Sequence, residues 1–163
     1  MYSQKAFALV VNNLPRALAE PANLEYRRKI LLGSCLAGYA IFNSNTGAAH
    51  ALAYPMGIYH QVPHGIAVAL LLPQVVAVNV EKGCTLYAEL WQLIEGEKVV
   101  ISREEQARQF LAFLRAFTPL SKLDPKLTRY GIDSARMKFM AERGLDLVSA
   151  LSNNPVDFVM EDA

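Results

Sequence analysis

Residues 30–80 contain no Asp, Glu, Lys or Arg, so 51 consecutive positions of a 163-residue chain carry no formal charge. A run of that length has too little polar surface to face water on every side, and must be sheltered by the rest of the fold or by lipid. The charges lie on either side of it: 5 basic and 2 acidic residues before, 11 and 13 after, which together give the net charge of +1. With 53% apolar and 19% charged residues, disorder and a polyanion-binding surface are excluded as natural readings, and no nucleic-acid partner is expected. The two most apolar runs, residues 30–42 and 66–78, are about 13 residues each, short of the roughly 18 to 20 that cross a bilayer. They read as core helices, and no membrane partner is expected. The N-terminus lacks the charged-then-apolar order of a signal peptide. Two cysteines, Cys35 and Cys84, imply no disulfide framework, and a reducing, cytoplasmic setting is expected.

Periodicity along the chain is helical, and nothing alternates with period two for long enough to make a strand. Phe7, Val10, Val11 and Leu14 share one helical face, with Pro15 expected to close that segment. Asn23 reads as the N-cap of a second helix that carries Glu25 in its first turn and then Arg27, Arg28 and Lys29, a solvated basic run. After a polar loop at 43–47, residues 48–54 form a short helix stopped or kinked at Pro55. A helix over 66–80 then tolerates Pro73 and is expected to be buried on all sides. Beyond Gly83 the pattern turns amphipathic: 86–94, with Trp91 as packing, then 102–117 with Ser102 and Glu105 at capping-box spacing, then 133–151 with a break near Gly144. These segments predict an all-α fold, a single helical-bundle domain over residues 1–163 with a central buried apolar helix.

Histidine carries the chemistry of the charge-free run, because His50, His60 and His64 all lie in it and find no ion-pair partner there. His50 sits among Ala48, Ala49 and Ala51, which leave room around its ring, and His64 starts a helix between Pro63 and Gly65. Two neutral imidazoles projecting from adjacent helices into one pocket suit a divalent metal such as Fe, Zn or Ni. Two core histidines each bonded to a backbone carbonyl fit the spacing as well. An independent metallohydrolase fits less well, since no His-Glu-x-x-His helix is present and the nearest carboxylates in sequence are Glu25 and Glu81.

Residues 47–79, GAAHALAYPMGIYHQVPHGIAVALLLPQVVAVN, resemble the signature of the iron-containing alcohol dehydrogenases. The likeness extends outward to Arg27, Arg28, Gly33, Ala37, Gly38 and Phe42, and to Asn154-Pro155 near the C-terminus. The resemblance implies that His50 and His64 are metal ligands, the family's third and fourth, for Fe2+ or for Zn2+ or another divalent ion. It places Tyr54 where the family usually has a second histidine beside the nicotinamide and the substrate oxygen. A phenol keeps a hydroxyl there, but exchanges protons less readily at neutral pH than an imidazole. Tyr54 is therefore a candidate catalytic residue with a core aromatic as its alternative. His60 has no fixed place in the pattern and is expected to face solvent rather than line the pocket. Ile58 stands where the family has a very small residue.

Family members are about twice this length. The resemblance implies an N-terminal α/β domain that binds NAD(P) through a Gly-rich loop, and a helix carrying the first two ligands as Asp-x-x-x-His. Neither pattern occurs in these 163 residues, so the expectation is the C-terminal helical domain alone, with the nucleotide-binding domain absent. Two functions follow. One is a metal-dependent, NAD(P)-linked alcohol dehydrogenase acting on a small alcohol or aldehyde, present as a part that does not turn over alone. The other is a non-catalytic helical remnant or assembly module, supported by Tyr54 in place of a histidine and by the missing ligands and cofactor domain. In either case an exposed apolar patch and a homo-oligomer are expected, since the missing domain would normally cover part of this surface.

Overall fold

The structure, a computed structural model, describes residues 1–95, 100–121 and 127–163, and every regular element among them is helical. Helix α1 (Tyr2–Ala19) and α2 (Leu24–Ser44) form an antiparallel hairpin. Asn23 caps α2 as its sequence predicts, its side-chain oxygen accepting from the backbone N–H groups of Glu25 at 3.1 Å and Tyr26 at 3.4 Å. The hairpin closes tightly at Gly33, where an added Cβ would lie 2.9 Å from Val10 Cγ2 and 3.3 Å from the Ala6 carbonyl oxygen. Pro15 does not end α1, which runs on to Ala19. A proline removes one i→i−4 bond, and the long contact with α2 holds the helix through that gap.

The expectation of a core helix over 30–42 is corrected. Among the residues of α2 only Gly33 is buried, while Leu31 is 72% and Phe42 89% exposed. The reason is that α2 has one main neighbour, α1, so the rest of its apolar circumference stays open.

The core forms instead around α3 (Ala48–His60), which buries seven of its 13 residues: Ala48, Ala49, Ala51, Leu52, Ala53, Pro55 and Met56. Pro55 neither stops nor shortens it. α4 (His64–Glu81) and α7 (Ser134–Leu145) pack against α3. One cluster joins Ala53, Met56, Val62, Ala67, Ile132 and Met140; a second joins Ala48, Ala49, Leu52, Val75 and Phe158. The alanines let the helices approach, and at Gly144 of α7 an added Cβ would meet Leu52 Cα at 3.0 Å and the Ala51 carbonyl oxygen at 3.1 Å.

α4 lies between α3 and α6 (Arg103–Phe117) but is not covered all round, since Leu72 and Gln74 reach the surface. By length and apolarity α4 matches a bilayer span, with 18 residues of mean hydropathy 1.5, and in this fold it packs between α3 and the amphipathic α6. It ends in a Schellman turn: Gly83 at φ +86° allows Cys84 N–H to bond the Asn79 carbonyl at 2.9 Å and Gly83 N–H that of Val80 at 3.0 Å. α5 (Tyr87–Glu95) pairs with α6. Ser102 caps α6 through Glu105 N–H, but the Glu105 carboxylate turns to Arg108 and Gln109, so only half of the capping box forms. Asp133 caps α7 through Arg136 N–H at 2.9 Å, and the break near Gly144 separates α7 from α8 (Val148–Leu151).

Candidate functional site

Helix α3 presents His50 and Tyr54 one turn apart on the same face. At its far end Gln61 takes a left-handed conformation at φ +55°, and Val62 N–H returns to the Met56 carbonyl at 3.2 Å. That reversal, with Pro63 as the N-cap of α4, starts the next helix at His64 and sends its side chain back across α3. The ring centres of His50 and His64 are 5.2 Å apart, and those of Tyr54 and His64 are 5.3 Å apart with the planes only 26° from parallel. The two histidines of the sequence motif therefore come together, with Tyr54 as the third ring of the cluster.

Partial burial and the nearby His64 hold the His50 imidazole below the usual histidine range, burial being the larger cause. Both effects disfavour the cation and keep a lone pair on the ring, which is the form that binds a metal. The spacing also fits. Two imidazoles sharing one tetrahedral ion, each nitrogen about 2.0–2.1 Å from it, have ring centres about 5 Å apart. Among the described residues no group of three or more His, Cys, Asp or Glu side chains completes such a donor set. His50 and His64 thus amount to two donors of a site that normally has three or four.

His60 does not simply face solvent. Its ring lies partly buried with Nδ1 3.0 Å from the Tyr130 carbonyl oxygen; a carbonyl only accepts, so Nδ1 carries the proton and donates. This ties the end of α3 to the turn before α7 and keeps His60 in a structural role. Ile58 is exposed, one helical turn beyond Tyr54 on α3.

The structure also joins Asn79, which ends the sequence motif, to Asn154 near the C-terminus. Asn154 Nδ2 donates to Asn79 Oδ1 at 2.8 Å, and Asn79 Nδ2 donates to Asn154 Oδ1 at 3.3 Å and to the Tyr87 hydroxyl at 2.7 Å. Asn79 is fully buried, and burial pushes the Tyr87 phenol up. The sequence signal for this pair was an asparagine closing an otherwise apolar helix, which needs an internal partner.

Comparison with known proteins bears on all of these residues. Residues 1–163 match the Fe-containing alcohol dehydrogenase family, C-terminal part. 1,3-Propanediol dehydrogenase of Klebsiella pneumoniae is 32% identical over 152 residues, 93% of this chain and 39% of that one. Lactaldehyde reductase of Escherichia coli (strain K12) is 28% identical over 161 residues, 97% of this chain and 41% of its own. The crystal structure of a 1,3-propanediol oxidoreductase superposes with a TM-score of 0.88 at 28% identity, covering 98% of this chain and 41% of that one. The chain spans about two fifths of the length of the curated relatives it matches.

Proposed function

Because the chain belongs to the Fe-containing alcohol dehydrogenase family, we propose that it supplies the helical, metal-holding part of an NAD(P)-linked oxidoreductase that interconverts a small alcohol with its aldehyde or ketone. The observation that carries this reading is the pairing of His50 and His64, 5.2 Å apart between ring centres. In this reading His50 and His64 hold a divalent ion, Fe2+ first and Zn2+ as an alternative, through neutral imidazole nitrogens. A bound divalent ion supplies Lewis-acid polarisation of an alcohol or carbonyl oxygen. The Ala48, Ala49 and Ala51 side chains keep α3 thin and packed, so that both histidines are carried on rigid helices rather than on a loop. Tyr54, 44% exposed, borders the same face from which substrate would approach.

Residues 1–163 act in this proposal as one helical unit of a cytoplasmic enzyme. Hydride transfer needs a nicotinamide held next to the substrate carbon, and the sequence contains no Gly-rich phosphate loop to hold one. The 163-residue chain is therefore expected to bind a divalent metal weakly and to show no NAD(P)-dependent turnover of simple alcohols. Metal content after dialysis, compared between the native chain and a His50→Ala, His64→Ala double variant, tests the ligand assignment. Equal content in the two overturns it, and turnover by the purified chain overturns the division of labour.

A second reading rests on α2. Its exposed Leu31, Leu32, Tyr39 and Phe42 form an apolar face on a helix whose one main neighbour is α1. That face favours a helical assembly module, with a homo-oligomer as one outcome. Sedimentation of the purified chain at several concentrations separates a monomer from such an assembly.

A further inference from the structure

We infer that Tyr54 is a positioning residue, whose ring stacks on His64 and holds that imidazole against His50. The role rests on the reading of the two histidines as metal ligands. His64 is the first residue of α4, and its neighbours give it little support. Pro63 before it donates no side-chain cap, and Gly65 after it faces open space, with no heavy atom within 4 Å of where a Cβ would stand. An exposed side chain at a helix start, without a hydrogen-bond partner, samples several rotamers. Two rings remove that freedom. His50 approaches from one side at 5.2 Å, with planes tilted by 54°, and Tyr54 lies on another at 5.3 Å, nearly parallel at 26°.

The sequence separation makes this arrangement stiff. Tyr54 follows His50 by one helical turn on α3, so both rings start from the same backbone, anchored by the buried Ala51, Leu52 and Ala53. The contact uses the face of the phenol ring. The Tyr54 hydroxyl makes no hydrogen bond to protein among the described residues, and the positioning role needs the aromatic plane alone. A ligand whose rotamer is already selected loses less freedom when it binds, which raises affinity without adding a donor.

The test compares Tyr54→Phe with Tyr54→Leu in the 163-residue chain, both at an exposed position that leaves the core intact. In the metal-free protein the His64 ring-proton resonances are expected to sit in the ring-current field of residue 54, to stay there in Tyr54→Phe and to leave it in Tyr54→Leu. In titrations with Co2+, Tyr54→Phe is expected to bind within about twofold of the native chain, and Tyr54→Leu more weakly by about two- to tenfold, the size of one aromatic contact. His50→Ala is the reference: an affinity for Co2+ that ignores His50→Ala overturns the metal reading itself, and the positioning role with it. Where His50→Ala does weaken binding, unchanged ring resonances and unchanged affinity in Tyr54→Leu overturn the positioning role alone. Equal losses in Tyr54→Phe and Tyr54→Leu also overturn it, because they assign the effect to the hydroxyl.

Discussion

Replacing Gly144 with alanine puts the packing of the site's scaffold to a direct test. The new methyl group would stand 2.9 Å from Leu52 Cδ2, 3.0 Å from Leu52 Cα and 3.1 Å from the Ala51 carbonyl oxygen. Non-bonded carbons rest about 3.5–4.0 Å apart, so each carbon contact is short by roughly half an ångström or more. The Leu52 side-chain tip can rotate away, but the other two atoms are backbone of α3 and move only if α3 and α7 separate. Overpacking of this kind costs about 1–3 kcal/mol. Against it stands the better helix propensity of alanine, about 1 kcal/mol in a helix interior. The net expectation is a loss of up to about 2 kcal/mol, or up to about 8 °C in Tm for a domain of this size. Gly38→Ala is the internal reference, since nothing lies within 4 Å of its added Cβ in α2, and it should stabilise the chain by up to about 1 kcal/mol. Urea unfolding followed by circular dichroism should move the two midpoints in opposite directions at an unchanged m-value. If Gly144→Ala raises the midpoint as Gly38→Ala does, the close contact of α7 with α3 is not as described, and the rigid base under His50 and Tyr54 goes with it.

Three further expectations concern the elements around that scaffold. Asn154→Ala should cost about 1–3 kcal/mol by leaving the buried Asn79 side-chain oxygen without its partner, and Asn79→Ala a similar amount by removing the partner of the half-buried Asn154 amide. The double variant should cost clearly less than their sum, and simple additivity in urea unfolding would show that the amide pair is not one unit. The Asp162 carboxylate accepts from Lys82 and from Val159 N–H, and both bonds hold it below the usual carboxylate range, that with Lys82 more. A depressed native value means that its contribution is complete above the unfolded value near pH 4 and disappears as the pH falls through the native one. Protection of the Val159 amide, its exchange rate taken relative to the intrinsic rate at each pH, should therefore fall in acid in the native chain and show no such step in Asp162→Asn. Ser102→Ala removes the acceptor that caps Glu105 N–H at 3.2 Å, and should lower stability by about 1 kcal/mol without affecting Co2+ binding. An effect on the metal would contradict the placing of the metal at His50 and His64 on α3 and α4.

Much of the helical framework was legible because its causes are local. Asn23 and Ser102 cap helices in the structure as their sequence positions predict, and Gly83 closes the end of α4 just after Glu81 and Lys82. Each depends on a few neighbouring backbone groups. The prolines misled for the same reason. Pro15 and Pro55 weaken a helix locally, yet α1 and α3 continue through them, because packing against α2, α4 and α7 outweighs one missing bond.

The 51 uncharged residues by themselves determined that this chain would carry its histidines among apolar helices, and the order of residues around His50 and His64 determined the family resemblance that the comparisons bear out. Which helix was to be covered was decided by tertiary structure. Residues 30–44 of α2 and all of α3 are free of charge, but α3 is enclosed while α2 has α1 alone as its main neighbour. Composition sets the free energy gained when a surface is buried, whereas the surface that is buried depends on distant segments that supply the partner. The meeting of three rings has the same origin. Spacing places His50, Tyr54 and His64 on two helices, and only the reversal at Gln61 brings the start of α4 back across α3 to put their centres within 5.3 Å of His64.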